Sequence, residues 1–437
     1  MTRPLSVALA WAIGALLLVG NAHAQLTDTE QRIVAAVKQR TPAALELLEK
    51  SVRINSGTLN AQGVRDVGAV FRAELDALGM RTRWEEMPPE MKRGGHLIAT
   101  TDGTQGKRVL LLGHLDTVFE KDSSVALWER RGNRIRGQGV NDMKGGGVVL
   151  IEALRALASV GALKDTRISV LLAGDEERTG SPLERTRASL VALAKQSDAA
   201  LSFEASATLA GGAGHAVSIA RRSAGSWSLT VRGKPAHSAG VFAPSVGYGA
   251  IYEGARILNA FREQLIEPNL TFNVGVVLGG TNVAFSDETA SGTSFGKSNV
   301  IARDFVARGD LRFLTPEQGA RAQQRMREIV AAHLPGATAT LSFHESYPPM
   351  PPTEAGMKLV EVFSKASEDA GLGRIGVLDP SMRGAGDVQF AAPYTASVDG
   401  LGSAGSGSHT DDEDLEIASI ERGTIRAALM IYRLTRP

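Results

Sequence analysis

The sequence predicts an α/β fold interrupted by an inserted α+β domain, on three observations. First, the runs "HLIAT" (96–100), "RVLLLG" (108–113), "RISVLLA" (167–173) and "AALSF" (199–203) are almost continuously apolar. Strands of that kind are buried on both faces of a sheet. Second, "GGGVVLIEALRALASVG" (145–161) between them spaces its apolar residues at i, i+3 and i+4, as a helix does. Third, the pattern changes over 222–345, where "SWSLTVRG" (226–233) alternates with a period of two. The order of elements there is β-α-β-β-α-β, a ferredoxin-like split unit.

Taken in order, residues 1–24 read as a signal peptide, with Arg3, a short apolar stretch and Ala22-His23-Ala24 as a small-residue cleavage site. Its removal takes Arg3 from the 48 basic residues and nothing from the 47 acidic ones, so the charges balance. Such a chain has no basic face for nucleic acid, and its apolar stretches are too short to span a membrane. It is expected in the periplasm or secreted. With no cysteine, its stability rests on ordinary cores, and any metal must be held by His, Asp and Glu.

The first part of the main domain covers 25–221, with helical spacing from Ala43 to Met80 that stops at Gly79. In the insert (222–345), a helix over 245–262 is followed by the strands "LTFNVGVVLGG" and "DFVARGDLRF". A second helix opens with Thr315 as cap, Pro316 at its first position and Gln318 to complete a capping box. The strand "ATLSFHE" (339–345) closes the insert, and 346–437 returns to the main domain.

Acidic and histidine residues recur at or just beyond strand ends, where open α/β sheets build their sites. They lie in "GHLDTV" (113–118), "GQGVNDMKGG" (137–146), "GDEERTGS" (174–181) and "SFEAS" (202–206). The Gly-rich "GSGSHTDDEDL" (405–415) adds a lone His. Brought together, His114, Asp142, Glu176, Glu177, Glu204 and His409 offer mixed N/O ligation, which suits zinc or another divalent transition metal. In an extended chain the adjacent Glu176 and Glu177 point to opposite faces. The acids of "TDDED" (410–414) read as a solvated loop, with one of them a candidate to orient His409, and Asp175 has no assigned role.

These motifs together resemble the dizinc metallopeptidase family that includes bacterial glutamate carboxypeptidase, aminoacylases and succinyl-diaminopimelate desuccinylase. The resemblance spans the chain after the leader and implies a zinc-peptidase-type α/β catalytic domain with an inserted lid and dimerisation domain. It implies two Zn2+ per subunit, with Co2+ or Mn2+ as possible substitutes. Asp142 would bridge them, with Glu177 and His409 on one metal and His114 and Glu204 on the other. Asp116 would fix the His114 tautomer, and Glu176 would be the general base for a water whose pKa the cations lower. His237 in "GKPAHSAG" would reach a partner subunit's site and steady the oxyanion, so a homodimer is expected. Asn299 and Arg312 would bind substrate, the Arg at a terminal carboxylate. Arg383, Gly384 and Gly386 belong to a loop that fits the family's Gly-rich substrate loop only in part. The additional Arg of the glutamate-releasing members is missing from "ESYPPMPPTEAG" (345–356), and Arg383 is the candidate to replace it as partner of an acidic side chain.

The function so implied is an exported hydrolase acting on a peptide or N-acyl amino acid. It would cleave an amide next to a free carboxylate and release a C-terminal amino acid. An N-acyl amino acid deacylase or dipeptidase is the alternative within the class, and an inactive periplasmic binding protein on the same scaffold the alternative outside it.

Overall fold

The computed structural model describes residues 26–209 and 214–436, so the leader segment expected over 1–24 lies outside the described residues. A six-stranded sheet organises the main domain, in the order Arg81–Glu85, His96–Thr100, Thr166–Ala173, Gln105–His114, Ala199–Ser202 and Ala396–Asp399. The last four run parallel and the first two antiparallel to their neighbours. Helices Asp28–Val52, Gly145–Ser159, Glu354–Asp369 and Ile417–Thr435 supply one core, where Val109 and Leu111 are buried. Leu110 and Leu112 fall in a second core with Leu190, Val388 and Phe390. Successive side chains of one strand thus enter opposite cores, which is why the strand is apolar throughout.

Parallel strands put their C-terminal ends on one edge. His114 ends its strand there, and the chain leaving Ala173 carries Glu176 and Glu177. Glu204 follows Ser202, and the strand Ala396–Asp399 leads into the loop bearing His409. Asp142 arrives from the segment Val140–Lys144, just ahead of helix Gly145–Ser159. Close approach there requires glycine: a Cβ on Gly146 would sit 1.8 Å from the Phe203 carbonyl oxygen. A larger residue would push the Asp142 segment away from Glu204.

The insert holds an antiparallel sheet in the order Val276–Gly280, Asp304–Arg312, Ala224–Gly233 and Ala337–Tyr347. Helices Gly249–Gln264 and Pro316–Ala331 accompany it, and Trp227, Leu229, Val231, Phe261, Phe305 and Met326 form a core of their own. Where the chain enters and leaves, Arg221 and Met350 exchange two backbone hydrogen bonds of 2.9 Å.

Several details differ from the sequence-based expectation. The first helix starts at Asp28, capped by Thr27, and runs through Pro42 instead of beginning near Ala43. Burial of Ile33 and Val37 outweighs the backbone hydrogen bond that the proline removes. The run "LTFNVGVVLGG" breaks into Thr271–Phe272 and Val276–Gly280, and an exposed hairpin, Asn282–Ser286 with Ser291–Phe295, follows it. Gln318 accepts a bond from the Leu314 N–H at 2.8 Å, one residue before the Thr315 cap, so the capping box is displaced.

Candidate active site

Asp142 stands between two imidazoles. Its Oδ1 lies 3.3 Å from His114 Nε2 and its Oδ2 3.2 Å from His409 Nε2. His114 Nε2 is also 3.4 Å from Glu204 Oε1, and His409 Nε2 is 3.0 Å from Glu177 Oε2. The result is two three-residue donor sets, His114–Asp142–Glu204 and Asp142–Glu177–His409, that share one carboxylate. Backbone dihedrals at Asp142 (φ −120°, ψ 90°) leave the helical range and turn it into this position. His409 has a left-handed backbone (φ +66°), a strained conformation for a non-glycine residue.

The donor set fits divalent cations. Burial lifts the Glu177 carboxyl to about 7 against the pull of its bond with His409. Burial also raises Glu176 well above the usual carboxylate range, with Glu204, Asp387 and Glu177 adding repulsion against the pull of His114. Hydrogen bonds to Asp142 and Glu177 hold the His409 imidazole up at about 11. So many partly buried carboxylates call for positive charge between them. Glu177 Oε1 is buried with no hydrogen-bond partner among the described residues, a lone pair free for a metal.

Glu176 and Glu177 do part company, though not by strand alternation. The strand ends at Ala173, and both glutamates lie in the turn after it. The fully buried Asp116 fixes that turn: its Oδ1 accepts from the Glu176 N–H at 3.0 Å and its Oδ2 from the Glu177 N–H at 3.1 Å. Thr58 Oγ1 donates to the same Oδ2 at 2.6 Å. His114 Nδ1 sits 3.0 Å from the backbone oxygen of Asp116 and 3.5 Å from its carboxylate. The carbonyl of Asp116 thus makes the closer contact with the imidazole, with its carboxylate also beside it, and the same carboxylate positions the two glutamates. Glu177 turns to His409, whereas Glu176 lines an open cavity of about 300 Å³ beside Asp142, Glu204 and His409. His114, Glu176 and Glu177 are also close enough to form a third trio of donors.

Two acids acquire roles that local sequence did not reveal. Asp175 is fully buried: Arg187 Nη1 donates to its Oδ1 at 2.6 Å and the Gly180 N–H to its Oδ2 at 2.8 Å. Arg187 also bonds Asp387 at 2.8 Å, and Tyr347 donates its hydroxyl to the Glu176 carbonyl at 3.0 Å. Glu413, expected in a solvated loop, is 1% exposed. Its Oε1 accepts from the N–H groups of Asn141 and Asp142 at 2.8 and 2.9 Å, so it steadies the bridging residue and not His409. Burial pushes Glu413 up to about 8.

The cavity's other wall comprises Ala205, Arg221, Met382, Arg383, Gly384 and Ala385. Gly386 is buried behind it, with its Cβ position 3.2 Å from Arg221 Cζ. Arg221 escaped sequence reasoning because no motif surrounds it. The residues expected from the insert do not join this cluster within one chain. His237 is exposed and its Nδ1 accepts from the Ala239 N–H, while Ser238 donates to the carbonyl of the exposed Asn299 at 3.0 Å. Arg312 pairs with Asp310 at 3.0 Å on the insert's sheet.

Comparison with known proteins agrees with this geometry. Residues 110–433 match the family model described as "Peptidase family M20/M25/M40". The chain is 28% identical over 431 residues to carboxypeptidase G2 of Pseudomonas sp. (strain RS-16), covering 98% of this chain and 97% of that protein. It is 26% identical over 319 residues to succinyl-diaminopimelate desuccinylase of Gluconobacter oxydans (strain 621H), covering 71% of this chain and 77% of the relative. Its fold resembles aminopeptidase PepT from Bacillus cereus with a TM-score of 0.69 at 18% identity, over 91% of this chain and 99% of that one. The chain therefore belongs to peptidase family M20/M25/M40, a family of metal-dependent peptidases, as its motifs had indicated.

Proposed function

We propose that the protein is an exported, dizinc-dependent hydrolase that cleaves an amide next to a free carboxylate and releases a C-terminal amino acid. The observation that carries this reading is Asp142, one carboxylate shared by two donor sets. His114, Asp142 and Glu204 would hold one cation, and Asp142, Glu177 and His409 the other. Bound there, two cations would polarise a carbonyl and lower the pKa of water. Glu176, in the cavity wall and unpaired with either imidazole, takes the attacking water's proton and passes it to the leaving amine. Asp116 keeps Glu176 at that spot through the backbone. Removal of the 1–24 segment during export is part of the same proposal.

The carboxypeptidase reading is supported by likeness to a carboxypeptidase along nearly the whole chain. The test is hydrolysis, by the zinc-loaded protein, of dipeptides and N-acyl amino acids varied at the released residue, each with an α-amide control. Turnover confined to free carboxylates is expected. Equal turnover of the amides would overturn the reading, and metal binding without any turnover would favour a binding protein.

His237 lies away from the cluster of its own chain and so would act on a partner subunit, which requires a homodimer through the insert. His237→Ala is expected to lower kcat by about 10²-fold or more, as loss of an oxyanion donor does. Wild-type rates, or a fully active monomer in sedimentation, would remove it from the site.

A further inference from the structure

Opposite the metal-binding side chains, the cavity wall carries two guanidinium groups, and they differ in how they are compensated. Arg221 is almost fully buried and pairs with Asp399. Its Nη1 donates to the carbonyls of Gly384 and Ala385 at 2.7 and 3.0 Å, which fixes the loop between Met382 and Gly386. That loop carries Arg383. Among the described residues Arg383 forms no ion pair, and the hydrogen bond it makes is from Nη2 to the Ala205 carbonyl. Its Nε is buried and unpartnered. A guanidinium has five N–H donors in a planar fork, so Arg383 has most of them left to use, on a backbone held rigidly by its neighbour.

Charge leads the same way. The carboxylates that attract Arg383 are Asp399, Glu204 and Asp142. Asp399 is already bound to Arg221. Glu204 and Asp142 belong to the donor sets, and cations held there would take up their charge. In the loaded protein Arg383 would be a partly buried cation lacking an anion, facing the space where substrate must lie. Arg312, by contrast, lies outside this wall and is paired with Asp310.

Building on the proposed hydrolase activity, we infer that Arg383 is the specificity-determining residue that receives a carboxylate of the substrate inside the metal cavity. Two carboxylates have the required chemistry, the α-carboxylate of the released residue and an acidic side chain on it. A paired N–H···O contact from a fixed fork favours either over a neutral group.

The test is calorimetric titration of zinc-loaded Glu176→Gln protein, in which turnover is suppressed, with and without Arg383→Gln or Arg383→Lys. The probes are N-acetyl-L-glutamate, N-acetyl-L-alanine and the α-amide of N-acetyl-L-glutamate. Arg383→Gln is expected to weaken the recognised probes by about 10- to 100-fold, the worth of a charged hydrogen bond, and Arg383→Lys to recover part of that. Weakening of both glutamate probes alone supports the side-chain carboxylate. Weakening of the two free acids alone supports the α-carboxylate. Unchanged affinities, or no binding of any probe before Arg383 is altered, overturn the inference. So does equal weakening of all three with loss of zinc, which would make Arg383 a support for the Ala205–Glu204 segment. Parallel assays with Glu176 intact separate the two proposals. Arg383-dependent binding without turnover sinks the hydrolase reading alone, and turnover with Arg383-independent binding sinks this inference alone.

Discussion

Glu176→Gln is expected to lower kcat by about 10²- to 10⁴-fold, the usual contribution of a general acid–base group, while zinc content stays unchanged. The geometry separates the two adjacent glutamates clearly enough for this to be measured. Glu177 Oε2 is 3.0 Å from His409 Nε2 and its side chain is 4% exposed. Glu176 makes no such contact and faces the cavity. An amide in place of its carboxylate would keep the size of the side chain and the backbone bond to Asp116, so the turn should persist. Only the proton-accepting function is lost. Glu177→Gln should do the reverse and reduce metal occupancy. Atomic absorption on both purified variants, alongside steady-state kinetics, checks the pair. Zinc lost from Glu176→Gln would mean that the trio His114–Glu176–Glu177 is the true ligand set and that the roles are exchanged.

Arg187→Leu is expected to destabilise the fold by about 3–5 kcal/mol, because it strands two buried carboxylates. Arg187 is 2% exposed and bonds both Asp175 and Asp387. Asp175 directly precedes Glu176, and Asp387 belongs to the loop that follows Gly384 and Gly386. The guanidinium thus ties the turn bearing Glu176 to the loop that lines the opposite wall of the cavity. Chemical denaturation measures the loss. The triple change Asp175→Asn, Arg187→Leu, Asp387→Asn should recover part of it, since it removes the uncompensated charges along with the cation. No recovery would show that the packing of Arg187 against Phe390, 5.6 Å from the ring centroid, outweighs its charge.

Much of this site was legible in the sequence because parallel strands carry a simple positional rule. Their ends share one edge, so His114, Glu176, Glu177 and Glu204, each at or just past a strand end, were bound to converge. The glycines after Asp142 gained their meaning only from the structure, where Gly146 packs against the Phe203 carbonyl. Less legible were residues whose partners are distant in the chain. Nothing around Glu413 distinguished it from the solvated acids beside it until it met the backbone of Asn141 and Asp142. Arg221 and Tyr347 sit at the two crossings into the insert and act on segments far from them in sequence. Asp116 was expected beside His114 and lies there, with its carbonyl 3.0 Å and its carboxylate 3.5 Å from Nδ1, but its bonds to the Glu176 and Glu177 N–H groups were not foreseen.

The sequence by itself determined the α/β class and the group of ionisable residues that meet, since these follow from local periodicity and strand-end position, and its motifs carried the resemblance to the family. Only the tertiary structure decided how the two glutamates divide, what Asp175 and Glu413 hold, and which arginines line the cavity. Those outcomes depend on hydrogen-bond direction and burial among segments distant in the chain, and a charge's role is set by the partner that desolvation forces upon it.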